Sequence, residues 1–207
     1  RKPVYHSRIF QPRLTLSSNY FAGHALVMGL EYCGDRLTSD RFVNHKMTSR
    51  TLEETEFYVQ DDWTVNNHWM FSGGVRTNFS EAFGFMYMPK IAAKYSPDDY
   101  WAIRANYSMG YRSPSIKELF FNWDHLGMFM IKGNEFLKPE KNNYVSAGVE
   151  YSNRHFFFNS TLYGNFYRKK IEGVWRIYDM QYNFEYVNLD RQTIAGVDLL
   201  GRWTPTD

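Results

Sequence analysis

No apolar run in this sequence approaches the roughly 18 residues that a membrane-spanning helix needs. That excludes a helical span and nothing more, because a closed β-barrel also satisfies every backbone group in lipid. Cysteine is almost missing: Cys33 stands alone, so there is no internal disulfide and no thiolate metal cluster, and it reads as a small strand residue. Charge of one sign is missing too. The 24 Lys and Arg face 22 Asp and Glu, a net charge of +2, which gives no concentrated basic face for nucleic acid. There is no Gly-x-Ser-x-Gly, no phosphate loop and no nucleophile beside a base, so catalysis is not expected. Adjacent carboxylates occur at Glu53-Glu54, Asp61-Asp62 and Asp98-Asp99. Neighbours in a strand point to opposite faces and make poor acid–base pairs. His6, His24, His45, His68 and His155 are scattered, without His-x3-His spacing.

What the chain has in abundance is aromatic residues, 19% of the total, in a sequence whose mean hydropathy is only −0.54. Many aromatics in a polar chain suit a barrel, whose lumen-facing residues dilute the lipid-facing ones. Period-two alternation marks about nine candidate strands, near 5–19, 23–37, 51–65, 68–81, 87–97, 100–112, 142–153, 155–176 and 182–204. In the clearest, Trp101, Ile103, Ala105, Tyr107, Met109 and Tyr111 share one face and Ala102, Arg104, Asn106, Ser108, Gly110 and Arg112 the other. Trp69 to Phe79 alternates likewise, and near the end Val197, Leu199 and Trp203 oppose Gly196, Asp198 and Arg202.

Three features separate a membrane barrel from a soluble sandwich. The strands exceed the usual length of about 5–6 residues, and a tilted membrane strand needs about 9–11. The apolar faces end in aromatics, at Trp101 and Tyr111 and at Trp69 and Phe79, as interfacial girdles do. Short turns at 19–23, 65–68, 97–99 and 152–154 alternate with longer connections expected near 38–50, 80–86, 113–141 and 177–181, as periplasmic turns alternate with extracellular loops. Arg76, Lys90, Lys94, Arg104, Arg112, Glu150, Asp198 and Arg202 then point into the lumen. The fold class is all-β, an antiparallel transmembrane barrel. About nine strands do not close the even-numbered bacterial barrel. Arg1 to Tyr5 carry no signal pattern, and Trp203 to Asp207 stop at a turn without a terminal aromatic strand. The expectation is one unit over 1–207, a partial barrel domain cut from a larger one.

Two stretches carry more than alternation. Gly110-Tyr111-Arg112-Ser113-Pro114-Ser115-Ile116-Lys117-Glu118-Leu119-Phe120 is followed by Gly133-Asn134-Glu135-Phe136-Leu137-Lys138-Pro139-Glu140-Lys141. Together they resemble a signature of the TonB-dependent outer-membrane receptors, in which a strand ending Gly-Phe/Tyr-Arg-Ala-Pro-Ser enters a long outer loop and returns through Gly-Asn-Pro-x-Leu-Lys-Pro-Glu. Tyr58-Val59-Gln60-Asp61-Asp62-Trp63, Tyr144 to Tyr151 and Ala195 to Leu199 are similar to the family as well. The resemblance covers nearly the whole chain. It implies a barrel of about 22 strands around an N-terminal plug, with this chain supplying its middle to late part and the plug and C-terminal strands lying outside it.

Between the two boxes stands Phe120-Phe121-Asn122-Trp123-Asp124-His125-Leu126-Gly127-Met128-Phe129-Met130-Ile131-Lys132. This resembles the loop of haem and haemoglobin receptors, which carry a histidine between a Phe/Tyr-Arg-Ala-Pro box and an Asn-Pro-Asn/Asp-Leu box. Here Ser113 replaces Ala and Glu135 replaces Pro. The resemblance implies haem as transported ligand, with His125 on the iron and Tyr111 and Arg112 at the binding site. A neutral imidazole is a common haem-iron ligand. Phe121, Trp123, Met128, Lys132 and Asn134 are the expected loop contacts. Phe120 and Phe129 would join in covering a porphyrin face, and Arg112, Lys117 and Lys132 would meet propionates. The implied function is import of haem, free or from haemoproteins, across the outer membrane of a Gram-negative bacterium. The implied partners are the TonB complex, acting through the plug, and outer-membrane lipid. A receptor for a ferric siderophore, cobalamin or another nutrient is the alternative, since the two boxes alone do not distinguish cargo. A barrel lipase would need a Ser/His pair near an interface, which the sequence lacks, and a soluble β-rich domain would fold without detergent.

Overall fold

A computed structural model describes residues 4–19, 21–43, 46–125, 127–178 and 180–205. His45, parts of the turns expected at 19–23 and 177–181, and both chain ends lie outside the described residues. The described elements are β1 (Tyr5–Phe10), β2 (Arg13–Ser18), β3 (His24–Val43), β4 (Lys46–Thr64), β5 (Trp69–Ser80), β6 (Gly84–Tyr95) and β7 (Trp101–Arg112), then α1 (Ile116–Phe120), β8 (Asn122–Asp124) and β9 (Phe129–Lys132), and finally β10 (Glu140–Ser152), β11 (Phe156–Tyr178) and β12 (Gln181–Trp203). They form one sheet in the order β1-β3-β4-β5-β6-β7-β10-β11-β12-β9-β8, with β2 also on β3. Every pairing is antiparallel except β12 with β9. β1 and β2 are one strand interrupted at Gln11-Pro12, where proline has no N–H to give. The long strands therefore match the nine expected from alternation.

Register assigns the two faces. Trp63 lies opposite Phe71, Phe71 opposite Ala93, Ala105 opposite Ala147 and Leu162 opposite Val197, so one apolar phase runs across the sheet. Its large side chains, among them Phe57, Phe85, Ile91, Leu162 and Leu199, are exposed. An apolar surface this wide belongs against lipid. The opposite phase is polar and makes cross-strand ion pairs: Arg13 with Glu31 (2.6 Å), Arg76 with Glu56 (3.3 Å) and Arg104 with Glu150 (2.7 Å).

The aromatic girdles set the depth scale. At one end Trp69 packs on Tyr95 (4.6 Å) and Phe71 (5.7 Å), and Trp101 packs on Tyr151 (4.8 Å). At the other end Tyr32, Phe79 and Phe85 line up through the register. From Trp69 to Phe79 is about 33 Å along the strand. At a tilt of about 35–45° that becomes roughly 25 Å, the height of the apolar band. Three turns at the Trp end share one device, a side-chain oxygen accepting two successive backbone N–H groups. Asn66 does this for His68 and Trp69, Asp98 for Tyr100 and Trp101, and Asn153 for His155 and Phe156.

The structure corrects the expected outer connections. The stretch 38–50 is not a loop: β3 continues to Val43 and β4 begins at Lys46. The stretch 80–86 is a short turn between Ser80 and Gly84, and β11 and β12 run to Tyr178 and from Gln181. The asymmetry between the two ends is real, but strands that outrun the membrane create it. Beyond lipid the outer face is wet and the inner face is partly covered by the loop, so apolar alternation fades while backbone pairing continues. Among the described residues only 113–139 forms a long connection, and it contains α1, β8 and β9.

Candidate functional site at the outer mouth

The loop from Ser113 to Pro139 is built on its two ends. Ser115 caps α1: its hydroxyl accepts from the Glu118 N–H, and the Glu118 carboxylate accepts from the Ser115 N–H (2.8 Å), a reciprocal capping box. Arg112, the last residue of β7, then reaches two carboxylates. Nη1 donates to both Glu118 oxygens (3.1 Å each), and Nη2 and Nε meet Glu140 at 3.3 Å. Glu140 also accepts the Ile171 N–H (3.0 Å). One guanidinium thus joins the start of the loop, its helix and its exit, and extends the join to β11.

Below this clamp Ile116 packs with Leu37 and Phe42, and Leu119 packs with Leu137 and Ile171. The return box is held as firmly. Asn134 donates to the Tyr186 carbonyl (3.1 Å), and its own carbonyl oxygen accepts the Phe136 N–H (3.0 Å). Asn188 exchanges two hydrogen bonds with the Lys138 backbone (2.8 Å each). α1, β8 and β9 bridge the outer mouth. β9 adds in parallel to β12, while Phe121 packs on Phe42 of β3 (5.5 Å) and the Arg41 guanidinium sits 4.0 Å over the Trp123 ring.

His125 is at the tip of the β8–β9 hairpin. Its N–H donates to the Phe129 carbonyl (2.8 Å), and its carbonyl accepts from Met128 (3.0 Å). The imidazole stacks on Phe129 (4.7 Å) and meets Trp123 edge-on (4.8 Å); Phe129 continues into Trp175 (5.1 Å). The ring nitrogen Nδ1 is enclosed and has no hydrogen-bond partner among the described residues. An unpaired buried nitrogen costs about 1–3 kcal/mol.

The other expected site residues fall into three groups. Trp123 is part of the aromatic wall, Met128 is exposed beside His125, and Phe121 is packed against Phe42 of β3. Arg112 and Lys132 lie near the loop, but their charges are already engaged. Lys132 donates to the Tyr178 hydroxyl (2.6 Å), which donates in turn to Glu185. Asn134 ties the loop backbone at Phe136 to the Tyr186 carbonyl of β12. Tyr111 is not in the outer girdle. It is half-buried, with an enclosed hydroxyl, and borders a depression of about 400 Å³ with Tyr58, Arg76, Lys90 and Ser108. That space exists because β6 and β7 pair only from Lys90–Tyr95 to Ile103–Ser108, and the split begins at Pro89, which has no N–H. Glu118, Glu140, Tyr186 and Asn188 were not anticipated. Only Glu118 has a local signal, the Ser-x-x-Glu spacing of a capping box.

The clamp makes a direct prediction. Arg112→Gln in the full-length receptor leaves Glu118 and Glu140 without their shared cation. It destabilises the loop by about 1–3 kcal/mol, toward the low end because the guanidinium is 43% exposed. Limited trypsin digestion should cut faster between Lys117 and Lys138 while the strands stay protected. Unchanged cleavage would show that the clamp does not order the loop.

A tilted antiparallel sheet with a lipid-facing apolar phase, aromatic girdles and a polar inner face defines an outer-membrane β-barrel. Residues 4–206 match the family described as TonB dependent receptor-like, beta-barrel, and the chain belongs to that family. It resides in the outer membrane of Gram-negative bacteria, and its family is one of transport receptors, not enzymes. The chain is 26% identical over 133 residues to the iron-regulated outer membrane virulence protein of Vibrio cholerae, covering 62% of this chain and 20% of that protein. It is 25% identical over 126 residues to the "Probable hemoglobin and hemoglobin-haptoglobin-binding protein 4" of Haemophilus influenzae, covering 54% and 12%. The chain thus spans about a fifth or less of the curated relatives it matches. Among solved structures, the siderophore receptor PirA of Pseudomonas aeruginosa superposes with a TM-score of 0.81 at 16% identity, over 94% of this chain and 39% of that one. The copper transporter OprC superposes at 0.77 and 15% identity, over 98% and 35%. These likenesses show the fold.

Proposed function

We propose that the complete protein is an outer-membrane active-transport receptor that binds and imports haem, free or taken from haemoproteins. Energy would come from the TonB complex acting on a plug domain outside this segment. The observation that carries the reading is His125, a histidine between the two boxes, held in an aromatic tip with a ring nitrogen that has no partner among the described residues. The haemoglobin-binding relative from Haemophilus supports the same cargo class. In this reading His125 ligates iron once the tip opens, Trp123 and Met128 cover the porphyrin, and Phe121 seats the tip on β3. Arg112, Lys132 and Asn134 hold the loop in register, and Tyr111 lines the path inward.

His125→Ala in the full-length receptor should weaken haem binding at least about tenfold and alter the Soret spectrum, since one metal–ligand bond is lost. A titration with unchanged affinity and spectrum would sink the assignment. A second reading is a ferric siderophore, favoured by the depression that Tyr58, Arg76, Lys90 and Tyr111 line with donors suited to an anionic chelate. Growth of a receptor-deleted strain complemented with this protein separates the two: haem as sole iron source supports growth in one case, a ferric siderophore in the other.

A further inference from the structure

The outer loop is held differently at its two sides. On the β7–β10 side it is fixed by matched polar partners: the Arg112 guanidinium meets two carboxylates, and Asn188 exchanges hydrogen bonds with the Lys138 backbone. On the β3–β4 side it rests on rings. The Arg50 guanidinium lies 4.6 Å over Phe120, Phe42 packs on Phe121 at 5.5 Å, and the Arg41 guanidinium lies 4.0 Å over Trp123. Among the described residues no hydrogen bond or ion pair joins the outer ends of β3 and β4 to the loop.

The backbone of β3 is shaped for this grip. Neighbours in a regular strand face opposite ways. Here the β3–β4 pairing slips between Ser39 and Val43, and a slip of that kind re-aims side chains. Arg41 and Phe42, consecutive residues, therefore both meet the loop. Trp123 in turn stands edge-on to His125 at 4.8 Å, so a single ring separates Arg41 from the tip imidazole.

The grip leaves polar atoms unsatisfied. Arg41 Nε, Arg50 Nε and His125 Nδ1 are enclosed without a hydrogen-bond partner among the described residues, as is Asp40 Oδ1. Residues of this segment enclose them, so the rest of the barrel cannot reach them while the loop lies in this position. An enclosed donor without an acceptor loses its water and gains no bond in return. A ring face attracts the charge of a guanidinium but accepts little from its N–H groups. The Arg112 side satisfies its donors and is a permanent joint. The Arg41–Arg50 side is displaced by any anion that offers those guanidiniums oxygen acceptors.

We propose that Arg41 and Arg50 form a cation–π latch that holds the loop across the mouth, and that an anionic cargo releases it by drawing both guanidiniums from the rings onto its carboxylates. Release of Trp123 frees the imidazole of His125. The cargo shifts the loop because only the open form offers it the arginine forks. The latch itself is independent of cargo identity. Its release rests on the haem reading, in which the carboxylates are the porphyrin propionates.

Hydrogen exchange of residues 122–132 in the detergent-solubilised full-length receptor reads the latch. R41Q/R50Q should exchange there about tenfold faster than wild type, and R41K/R50K, whose ammonium groups also suit ring faces, should restore much of the protection. Trp123→Leu should match Arg41→Gln, and the two combined should exceed neither. Heat-modifiable gel mobility confirms that each variant is folded, and Arg41→Gln alone serves should the double change fail to fold. Unchanged exchange in R41Q/R50Q, or additive effects of Trp123→Leu and Arg41→Gln, would overturn the latch. Release is read by titration with haemin and with its dimethyl ester, which share iron and ring but differ in free carboxylates. Wild type should bind haemin about tenfold more tightly than the ester. In R41Q/R50Q that preference should vanish while ester binding holds or strengthens, because the latch is already open. Equal binding of the two by wild type, or a preference that survives in R41Q/R50Q, would overturn release by the anion. Haemin that does not bind wild type would sink the haem reading and the release together, and the exchange rates would still decide the latch.

Discussion

Val197→Arg should lower the unfolding free energy of the full-length receptor in lipid by about 2–4 kcal/mol, whereas Asp198→Arg should change it by no more than about 0.5 kcal/mol. The two residues are consecutive on β12, so depth and local chain environment are nearly shared. They differ in phase. Val197 lies opposite Leu162 in the apolar face and is 55% exposed. It is six residues from Trp203 of the inner girdle, about 15 Å along the normal and so near mid-depth. An arginine there must stay charged in hydrocarbon or snorkel along a long path. Asp198 lies opposite Thr161 on the inner face, where water or the lumen's polar surfaces meet any charge. Denaturant titration of each variant from lipid vesicles measures both values. Equal losses at 197 and 198 would mean that the faces are assigned wrongly and would undo the membrane reading itself.

Gly133→Val should detach the outer loop while leaving the barrel intact. Gly133 begins the return box, and its N–H donates to the Phe121 carbonyl (2.5 Å). A Cβ added there would lie 2.7 Å from the Leu119 carbonyl carbon and oxygen and from the Phe120 nitrogen. These are backbone atoms at the end of α1, so no side chain can swing aside. The helix must separate from the return strand, at a cost of about 1–3 kcal/mol. Separation also pulls Leu119 from Leu137 and Ile171 and shifts the hairpin that carries His125. Under the haem reading, affinity should fall together with protease resistance of 117–138, while the heat stability of the barrel stays near wild type. Gly73→Val is the matched control for a β-branched residue: nothing lies within 4 Å of its added Cβ, its φ is not positive, and it lies on β5, away from the loop. If Gly133→Val leaves loop protection unchanged, the close approach of α1 and the return box is not what seats the loop.

Much of this protein was legible before any coordinates. Trp101 to Arg112 and Trp69 to Phe79 alternate because one side meets lipid and the other water, and a strand has no third side. Inside the membrane, burial therefore writes itself into the sequence at period two. Asn66, Asp98 and Asn153 mark the inner turns for an equally local reason: each side chain satisfies its own next two or three backbone groups. Outside the membrane that logic ends. Residues 38–43 and 46–50 belong to β3 and β4, but no period-two apolar alternation marks them, so they read as a loop.

Tertiary structure alone decided the loop. Arg112 beside Ser113-Pro114 looks like a free cation until the fold brings Glu118 and Glu140 to it. Lys132 looks available until Tyr178, 46 residues away, accepts its proton bond. Tyr111 follows the lipid phase by alternation, yet the split between β6 and β7 at Pro89 lets it line the lumen-side depression. The long strands, their facing and the membrane they cross follow from the sequence by itself, because each depends on contact with solvent or lipid. The occupancy of the charges and the clamp on the loop depend on which distant residue arrives opposite, and only the sheet register brings those residues together.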